Sequence, residues 1–265
     1  MQPFATLRAS TLAGIRVLAT DVDDTITHDG KLLPSTLECF EALGKAGIAI
    51  VLVTGRPAGW AQALAGYLPA VRLAVGENGL VAFEGDGKRH DLGPPPGAAL
   101  FQQLAVNGLR LRDAYGLSIT PDDAFRLFER TFLRPPSFDA ATLAASQALV
   151  DPGFEVIASS IHIHVRPSGW GKAEGLLSAL QPIDAVACAA PDEHILFVGD
   201  SSNDRPLFAR LRRTSVGVRN VTRFLDELGD DRPAFVTEGE GALGFAEVAR
   251  GLLAAASRNA VHLRR

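Results

Sequence analysis

The stretch VLATDVDDTIT, residues 17–27, joins an apolar run to three closely spaced carboxylates. The apolar part predicts a strand buried on both faces, of the kind found in parallel sheets. Asp21, Asp23 and Asp24 follow at once, and like charges so close together repel and raise one another's pKa values. Two explanations fit this pattern: a cation lies among the carboxylates, or the strand ends there and the acids are solvated.

The composition of the 265-residue chain is that of an ordinary globular protein. It is 47% hydrophobic and 21% charged, and its length allows one large domain or two smaller ones. A net charge of -4 and the lack of an apolar run of ~18 residues give no reason to expect nucleic acid or a membrane as partner. Two cysteines, Cys39 and Cys188, exclude a disulfide framework. We therefore expect a cytoplasmic protein that binds a small molecule; the sequence does not indicate an oligomeric state.

Apolar strands alternate with amphipathic helices in both halves of the chain. In the first half, strands are predicted at 15–20, 48–56 and 71–75, with helices over 34–46 and 57–66. In the second half, helices and strands are predicted in turn at 172–180, 194–200, 203–211, 214–218, 221–228, 234–238 and 241–256. This alternation predicts an α/β fold: a Rossmann-like core with a doubly wound parallel sheet.

The pattern changes after residue 84. A hairpin is predicted around 85–87, and the segment 154–166 alternates with a period of two, which predicts one long or two short strands. Helical patterns separated by proline-rich breaks lie between them, at 97–107, 121–130 and 139–149. We therefore predict a core of residues 1–84 and 169–265, and an inserted α+β cap of residues 85–168 that sets substrate specificity.

Four polar stretches follow predicted strands at their carboxyl ends. They are DVDDT at 21–25, TGR at 54–56, GENG at 76–79 and GDSSND at 199–204. Open α/β sheets bind their ligands at this edge. Because four such stretches, two of them strongly acidic, would meet at one edge, the sequence predicts a functional site there.

Carboxylates in the first and last of these stretches suit phosphoryl transfer. Asp21 and Asp23 are two residues apart, so in extended backbone their side chains point the same way. An aspartate can attack phosphorus as a nucleophile, and a second carboxyl can protonate the leaving group. Asp200 and Asp204 add oxygen ligands of the kind that Mg²⁺ prefers. A Mg²⁺ ion would offset the repulsion between the carboxylates and let an anionic nucleophile meet an anionic substrate.

These stretches resemble the motifs of the haloacid dehalogenase superfamily of phosphohydrolases. DVDDT is similar to its first motif, Thr54 in LVTGR to its second, Lys172 to its third and GDSSND to its fourth. GENG, with an insert after the third strand, resembles the subgroup with type IIB caps, which includes sucrose-phosphatase-like and Cof-like phosphatases. One departure is Asp24, where glycine is commonest in the superfamily.

The resemblance implies a role for each matching residue. Asp21 would be the nucleophile and a Mg²⁺ ligand, and Asp23 the general acid/base with its backbone carbonyl on the metal. Thr54 would hydrogen-bond the transferring phosphoryl group, and Lys172 would neutralise charge on that group and on Asp21. Such positioning and charge stabilisation are what phosphoryl transfer requires.

The remaining predicted site residues bind the metal or the substrate. Asp200 would bind Mg²⁺ directly, while Asp204 and Asn203 would orient the ion or its waters. The predicted substrate-binding residues are Thr54, Gly55, Arg56, Lys172, Asn203, His162 and His164. Taken singly, Gly-Arg after a strand and a lysine in the first turn of a helix also fit surface roles.

The histidine pair His162 and His164 lies on one face of a predicted strand, with Ile163 and Val165 on the other. Such a pair can hold zinc, but the sequence supplies no evident third ligand. We interpret the pair as part of a polar strand face directed at the substrate; simple solvation of the face is the alternative.

Together these features predict a Mg²⁺-dependent phosphomonoesterase that hydrolyses a small phosphorylated metabolite, a sugar phosphate, through an aspartyl-phosphate intermediate. Two alternatives are a sugar phosphomutase, which passes the phosphoryl group back to a sugar, and a non-catalytic sugar-phosphate-binding module. Asp21 and Asp23 argue against the binding module, because a binder needs neither a nucleophile nor a general acid.

Overall fold

The computed structural model describes residues 1–68 and 70–262, with the backbone alone for 259–262. Its strands are β1 (Gln2–Pro3), β2 (Val17–Thr20), β3 (Thr27–His28), β4 (Lys31–Leu32), β5 (Ala49–Val53), β6 (Val71–Gly76), β7 (Val81–Glu84), β8 (Arg89–Asp91), β9 (Arg130–Leu133), β10 (Phe154–Ala158), β11 (His162–Pro167), β12 (Ile195–Gly199), β13 (Ser215–Gly217) and β14 (Phe235–Val236). Its helices are α1 (Ala9–Ala13), α2 (Pro34–Lys45), α3 (Ala58–Tyr67), α4 (Ala98–Tyr115), α5 (Ala140–Ser146), α6 (Lys172–Leu180), α7 (Ala185–Ala189), α8 (Pro191–His194), α9 (Arg205–Arg210), α10 (Leu225–Leu228) and α11 (Gly241–His262). Within this described range, no helix is both long enough and apolar enough to span a membrane.

Nine of the described strands form one sheet, in the order β1-β14-β13-β12-β2-β5-β6-β7-β8. Neighbouring strands are parallel from β1 through to β6, whereas β7 and β8 are antiparallel to their neighbours. All four residues of β2, Val17–Thr20, are buried, as expected of a strand covered on both faces. The predicted α/β fold with a doubly wound parallel sheet is confirmed.

Helices cover both faces of this sheet. Leu18 of β2 belongs to the same core cluster as Phe245 of α11, on one face. Its neighbour Val17 belongs to the cluster that contains Leu176 of α6, on the other face. Because successive residues of β2 pack on opposite faces of the sheet, apolar side chains of the strand are buried on both faces. Polar residues occur only at its carboxyl end.

A second sheet lies in residues 92–168, a segment that we call the insert. Its three strands are antiparallel, in the order β10-β11-β9. Leu111 of α4 shares a small apolar core with Phe132 of β9 and Val165 of β11. The two short strands predicted over 154–166 are therefore confirmed as β10 and β11.

The predicted cap boundary at residue 85 is wrong in one respect. β8 (Arg89–Asp91) pairs with β7 and forms the edge of the nine-stranded core sheet. The hairpin predicted around 85–87 is present, and it keeps its second strand in register with the first. The insert therefore starts after Asp91, and the division of the chain into a core and a cap otherwise stays a prediction.

The predicted helix over 121–130 is also wrong. The chain there forms a short 3-10 turn, Asp123–Phe125, and then enters β9. The backbone N–H groups of Leu127 and Phe128 donate instead to the carboxylate of Glu77, at 2.9 and 2.7 Å. These long-range hydrogen bonds satisfy the donors that a helix would use internally, and they override the local helical pattern.

Both ends of the insert meet the core beside the turn at 76–79. At the start, the N–H of Gly93 donates to the carbonyl of Leu80 at 3.0 Å. At the end, the turn packs so closely that a Cβ on residue 79 would lie 2.1 Å from the carbonyl oxygen of Gly171. Residues 77, 78 and 79 all have positive φ, at 47°, 52° and 104°. This tight turn brings the first residue of α6, Lys172, to the carboxyl edge of the sheet.

Gly79→Ala should destabilise the protein, because the added methyl group would overlap the Gly171 carbonyl while residue 79 keeps a left-handed φ. Gly87→Ala is the control, since Gly87 has a φ of 87° but nothing within 4 Å of a built Cβ. We expect the free energy of unfolding to fall by about 1 kcal/mol for Gly87→Ala and by at least ~2 kcal/mol more for Gly79→Ala. Urea denaturation measures both; equal losses would contradict the tight contact with Gly171.

Candidate active site

Three buried aspartates from two neighbouring strand ends form an acidic cluster. Asp21 follows β2, and Asp200 and Asp204 follow β12, which pairs with β2 in parallel. One carboxylate oxygen of each residue lies within 4.8 Å of the corresponding oxygens of the other two. The structure therefore brings together aspartates that are distant along the chain, and their oxygens are of the type that holds a divalent cation.

Lys172 is the counter-charge of this cluster. Its Nζ donates to Asp21 Oδ1 at 2.7 Å and to Asp204 Oδ1 at 2.6 Å, and its side chain is fully buried. Burial by itself lowers the pKa of Lys172, but the two carboxylates outweigh burial and raise this pKa above its ordinary value. Lys172 therefore carries its charge inside the protein.

One ammonium group does not neutralise three carboxylates. Burial raises the pKa of Asp21 to about 7, against the opposing charge of Lys172. Burial, together with the neighbouring aspartates, raises the pKa of Asp200 well above its ordinary value. The carboxylate of Asp200 accepts two long hydrogen bonds, at 3.3 Å from Thr25 Oγ1 and at 3.4 Å from Asn220 Nδ2. The charged forms of Asp21 and Asp200 are thus disfavoured in the cluster, and a bound cation would favour them.

Asp204 uses both of its oxygens within the protein. Its Oδ1 accepts from Lys172, and its Oδ2 accepts the backbone N–H groups of Asp200 and Ser201 at 2.9 and 3.2 Å. Gly199 makes this approach possible, because a Cβ there would lie 2.3 Å from Asp204 Oδ2. The geometry gives Asp204 an orienting part in the site, since it fixes Lys172 and the loop that carries Asp200.

Asp23 is held by an arginine. Arg56 donates from Nε and Nη2 to Asp23 Oδ2 and Oδ1, at 2.7 and 2.6 Å, in a bidentate pair. The guanidinium lies over Trp60, 4.7 Å from the ring centroid, and its Nη1 donates to Asp122 Oδ2 at 3.3 Å. Arg56, which the sequence predicts to bind substrate, thus contacts two carboxylates here. Thr54 is buried beside it, and its Oγ1 accepts the N–H of Arg56 at 3.0 Å.

A small cavity between the core and the insert unites most of the predicted site residues. Core residues from the first, second and fourth motifs and the two histidines of β11 line it, and these are Asp21, Asp23, Gly55, Asn203, His162 and His164. Lys172 reaches the cavity wall through its contact with Asp21. The predicted residues therefore lie in one place, although they come from five separate parts of the chain.

Burial lowers the pKa of both histidines that line this cavity. Burial, with nearby positive charges, lowers the pKa of His162 to about 3, and burial also lowers the pKa of His164. Burial raises the pKa of Glu129, but His164 and two arginines outweigh it and hold this pKa at about 2. We therefore assign the Nδ1–H tautomer to His164, whose Nδ1 lies 2.8 Å from Glu129 Oε2. Its buried Nε2 has no hydrogen-bond partner among the described residues.

Sequence reasoning missed most of the residues that join the insert to the core. Asn78 Oδ1 accepts from Asn203 Nδ2, and Asn78 Nδ2 donates to Glu129 Oε1, both at 3.0 Å. Arg126 Nη1 donates to the carbonyl of Gly55 at 2.8 Å. Asn78 carries a signal, since it lies in GENG, but Arg126 and Glu129 fall in the stretch wrongly predicted to be a helix. These contacts tie the wall of the cavity to the insert.

Comparison with known proteins shows what this arrangement is similar to. A family model described as haloacid dehalogenase-like hydrolase matches residues 18–90, the span that carries Asp21, Asp23 and Thr54. The predicted resemblance to the haloacid dehalogenase superfamily is confirmed over this span. The chain is 26% identical over 249 residues to a phosphoglycolate phosphatase of Aeropyrum pernix, and the matched region covers 92% of this chain and 97% of the relative.

Solved structures share the fold of this chain along most of its length. A crystal structure of a Thermoplasma acidophilum protein has a TM-score of 0.69 at 22% identity, covering 90% of this chain and 98% of the other. The sucrose-phosphatase of Synechocystis, solved with sucrose and phosphate, has a TM-score of 0.65 at 18% identity, covering 89% and 97%. The predicted fold is therefore shared with these structures along most of the chain, including the insert.

We predict that Asp200→Asn and Asp204→Asn change the stability of this hydrolase in opposite directions in EDTA. Asp200→Asn removes a carboxyl group whose charged form is disfavoured by burial and by its neighbours, so the midpoint of thermal unfolding should rise, by ~2–4 °C for each kcal/mol gained. Asp204→Asn removes a partner of Lys172 and weakens the loop of Asp200, so it should lower the midpoint. Circular dichroism measures both midpoints. A fall for both variants would mean that the charge on Asp200 is well accommodated without a cation.

Proposed function

We propose that this phosphatase is a Mg²⁺-dependent phosphomonoesterase that hydrolyses a small phosphorylated metabolite, a sugar phosphate, through an aspartyl-phosphate on Asp21. The observation that carries the proposal is the position of Lys172, 2.7 Å from Asp21 and 2.6 Å from Asp204 in the cluster that also contains Asp200. The match to the haloacid dehalogenase-like hydrolase model and the relatives named phosphoglycolate phosphatase confirm the predicted phosphatase and support a small phosphorylated substrate.

In the first step, a carboxylate oxygen of Asp21 attacks phosphorus while the bond from phosphorus to the leaving-group oxygen breaks. Asp23 gives its proton to that oxygen, so the alcohol departs neutral. Lys172, beside Asp21, offsets the charge of the phosphoryl group as it enters. Thr54 Oγ1 already accepts the N–H of Arg56, so its own hydrogen is left to donate to a phosphoryl oxygen.

In the second step, Asp23 takes a proton from water, the water oxygen attacks phosphorus, and inorganic phosphate leaves as Asp21 is restored. Asp21, the backbone carbonyl of Asp23 and Asp200 would hold Mg²⁺, with Asp204 and Asn203 orienting the ion or its waters. Bound there, the ion would supply positive charge to the phosphoryl oxygens. Three buried carboxylates with oxygens within 4.8 Å of one another, and one ammonium group among them, fit a divalent cation.

The insert supplies recognition of the leaving group. His162 and His164 line the cavity with Asp21 and Asp23, and burial lowers the pKa of both. Because Glu129 takes the Nδ1–H of His164, the free Nε2 is a hydrogen-bond acceptor that suits a sugar hydroxyl. Placement of the insert over the core also excludes bulk water from the aspartyl-phosphate.

Asp21→Asn should abolish hydrolysis of p-nitrophenyl phosphate, with a loss of at least ~10³-fold in kcat, because an amide does not attack phosphorus. Asp24→Asn is the matched control in the same loop, since the Asp24 carboxylate makes no hydrogen bond or salt bridge to the described residues. Release of p-nitrophenolate with Mg²⁺ and with EDTA measures activity. Turnover that survives both Asp21→Asn and EDTA would contradict the proposal.

A panel of phosphorylated metabolites tests the substrate class, with sugar phosphates and 2-phosphoglycolate compared by kcat/KM. We expect a sugar phosphate to rank first, and His164→Ala to raise its KM about tenfold through loss of one buried hydrogen bond. The KM for p-nitrophenyl phosphate, which has no hydroxyl group, should change less. His194→Ala, at an exposed histidine bonded to Gly14, is the control. Isomerisation that depends on a sugar bisphosphate, without net phosphate release, would indicate a phosphomutase instead.

A further inference from the structure

Arg56 occupies both oxygens of Asp23 in this structure. The two hydrogen bonds, at 2.6 and 2.7 Å, form a bidentate pair, the strong arrangement for arginine and a carboxylate. A general acid must instead bring an oxygen within ~2.6–3.2 Å of the leaving-group oxygen. Both oxygens of Asp23 are therefore bonded to Arg56. Arg56 has to move before Asp23 can protonate the leaving group.

Asp122 of the insert offers Arg56 a second position. Its Oδ2 lies 3.3 Å from Arg56 Nη1, a long hydrogen bond. Its Oδ1 is buried and accepts no hydrogen bond from the residues described, and Arg126 Nη2 lies 3.8 Å from it. A buried carboxylate oxygen without a donor is unfavourable, so Asp122 is poised to accept a further N–H group.

Trp60 supports the guanidinium between these two carboxylates. The ring lies under the charged group, 4.7 Å from centroid to Cζ, and the contact does not depend on which carboxylate the N–H groups face. Arg56 can therefore change its hydrogen-bond partner while its guanidinium stays stacked. Lysine lacks both the planar stacking surface and the forked donors that this exchange uses.

We propose that Asp122 is a positioning residue that draws Arg56 away from Asp23 when a phosphorylated substrate enters the cavity. The leaving group takes the place of the guanidinium at Asp23, and Arg56 then pairs with both oxygens of Asp122. One bidentate pair replaces another, so the two arrangements are close in free energy. Binding of the substrate then favours the pair of Arg56 and Asp122. Because Asp122 belongs to the insert, Asp23 is released only when the insert lies over the core. The inference rests on the proposed function, in which Asp23 protonates the leaving group.

Asp122→Asn tests this step, because it keeps the shape of the side chain and removes the charge that attracts Arg56. The two substrates are p-nitrophenyl phosphate, whose phenolate departs without a proton, and the best alkyl phosphate of the panel, whose alkoxide needs one. The ratio kcat/KM reports the steps up to departure of the leaving group. We expect it to fall at least about tenfold more for the alkyl ester than for the aryl ester.

The matched control is Asp151→Asn, which removes an acid paired with Arg110 on the surface of the insert. It should leave kcat/KM unchanged for both esters. Equal losses of kcat/KM for the two esters would mean that Asp122 has only a structural role, and would overturn the inference. An unchanged kcat/KM for both esters would overturn it as well. A preparation of the unmodified hydrolase that turns over neither ester would overturn the proposed function and this inference together.

A crystal structure with Mg²⁺ and orthovanadate, which mimics the phosphoryl group in transfer, gives a readout that does not depend on activity. We expect Arg56 to donate to both oxygens of Asp122 and an Asp23 oxygen to contact the apical vanadate oxygen. A bidentate pair of Arg56 and Asp23 retained beside the vanadate would overturn the inference while leaving the proposed function standing.

Discussion

One ammonium group has to balance three carboxylates inside this protein, and much of the fold serves that arrangement. Lys172 is the first residue of α6, where the helix dipole disfavours a positive charge. Its two hydrogen bonds to Asp21 and Asp204 offset that cost and the cost of burial. Removing one partner of such a buried pair typically costs ~3–5 kcal/mol, because the other charge is left uncompensated. Three features of the fold allow Lys172 to pair with Asp21 and Asp204: the neighbouring strand ends, the glycine at 199 and the turn at 76–79.

The junction between core and insert is the second organising feature. Glu77 accepts N–H groups from the insert, and Asn78 contacts Asn203 on one side and Glu129 on the other. Glu77 and Asn78 have positive φ, a strained backbone conformation that persists only where the surrounding structure holds it in place. Buried polar contacts that satisfy one another also fix a single arrangement. The turn therefore links the position of the insert to residues that line the reaction cavity.

The sequence predicted the parts of the site that follow from sheet topology. Asp21 and Asp200 were expected to meet because parallel strands end at one edge, and the structure places them there. The partners of Arg56 were not predicted, since pairing with Asp122 depends on where the insert lies. Glu129 was missed for a related reason: the helical pattern over 121–130 lost to hydrogen bonds with Glu77, 50 or more residues earlier in the chain. The local sequence pattern thus predicts the reacting aspartates, whereas contacts between distant parts of the chain determine which residues surround them.

The two connections of the insert have a consequence for how such a protein can change. The chain enters the insert at Gly93, bonded to Leu80, and returns through Gly171, packed on Gly79. Entry and return thus flank a single turn, and the strand order of the core does not depend on the length of chain between them. A foreign segment grafted at these two points would leave Asp21, Lys172 and Asp200 in place, because all three belong to the core. By the inference drawn above, such a segment would also have to supply a carboxylate in the position of Asp122 before Asp23 could act.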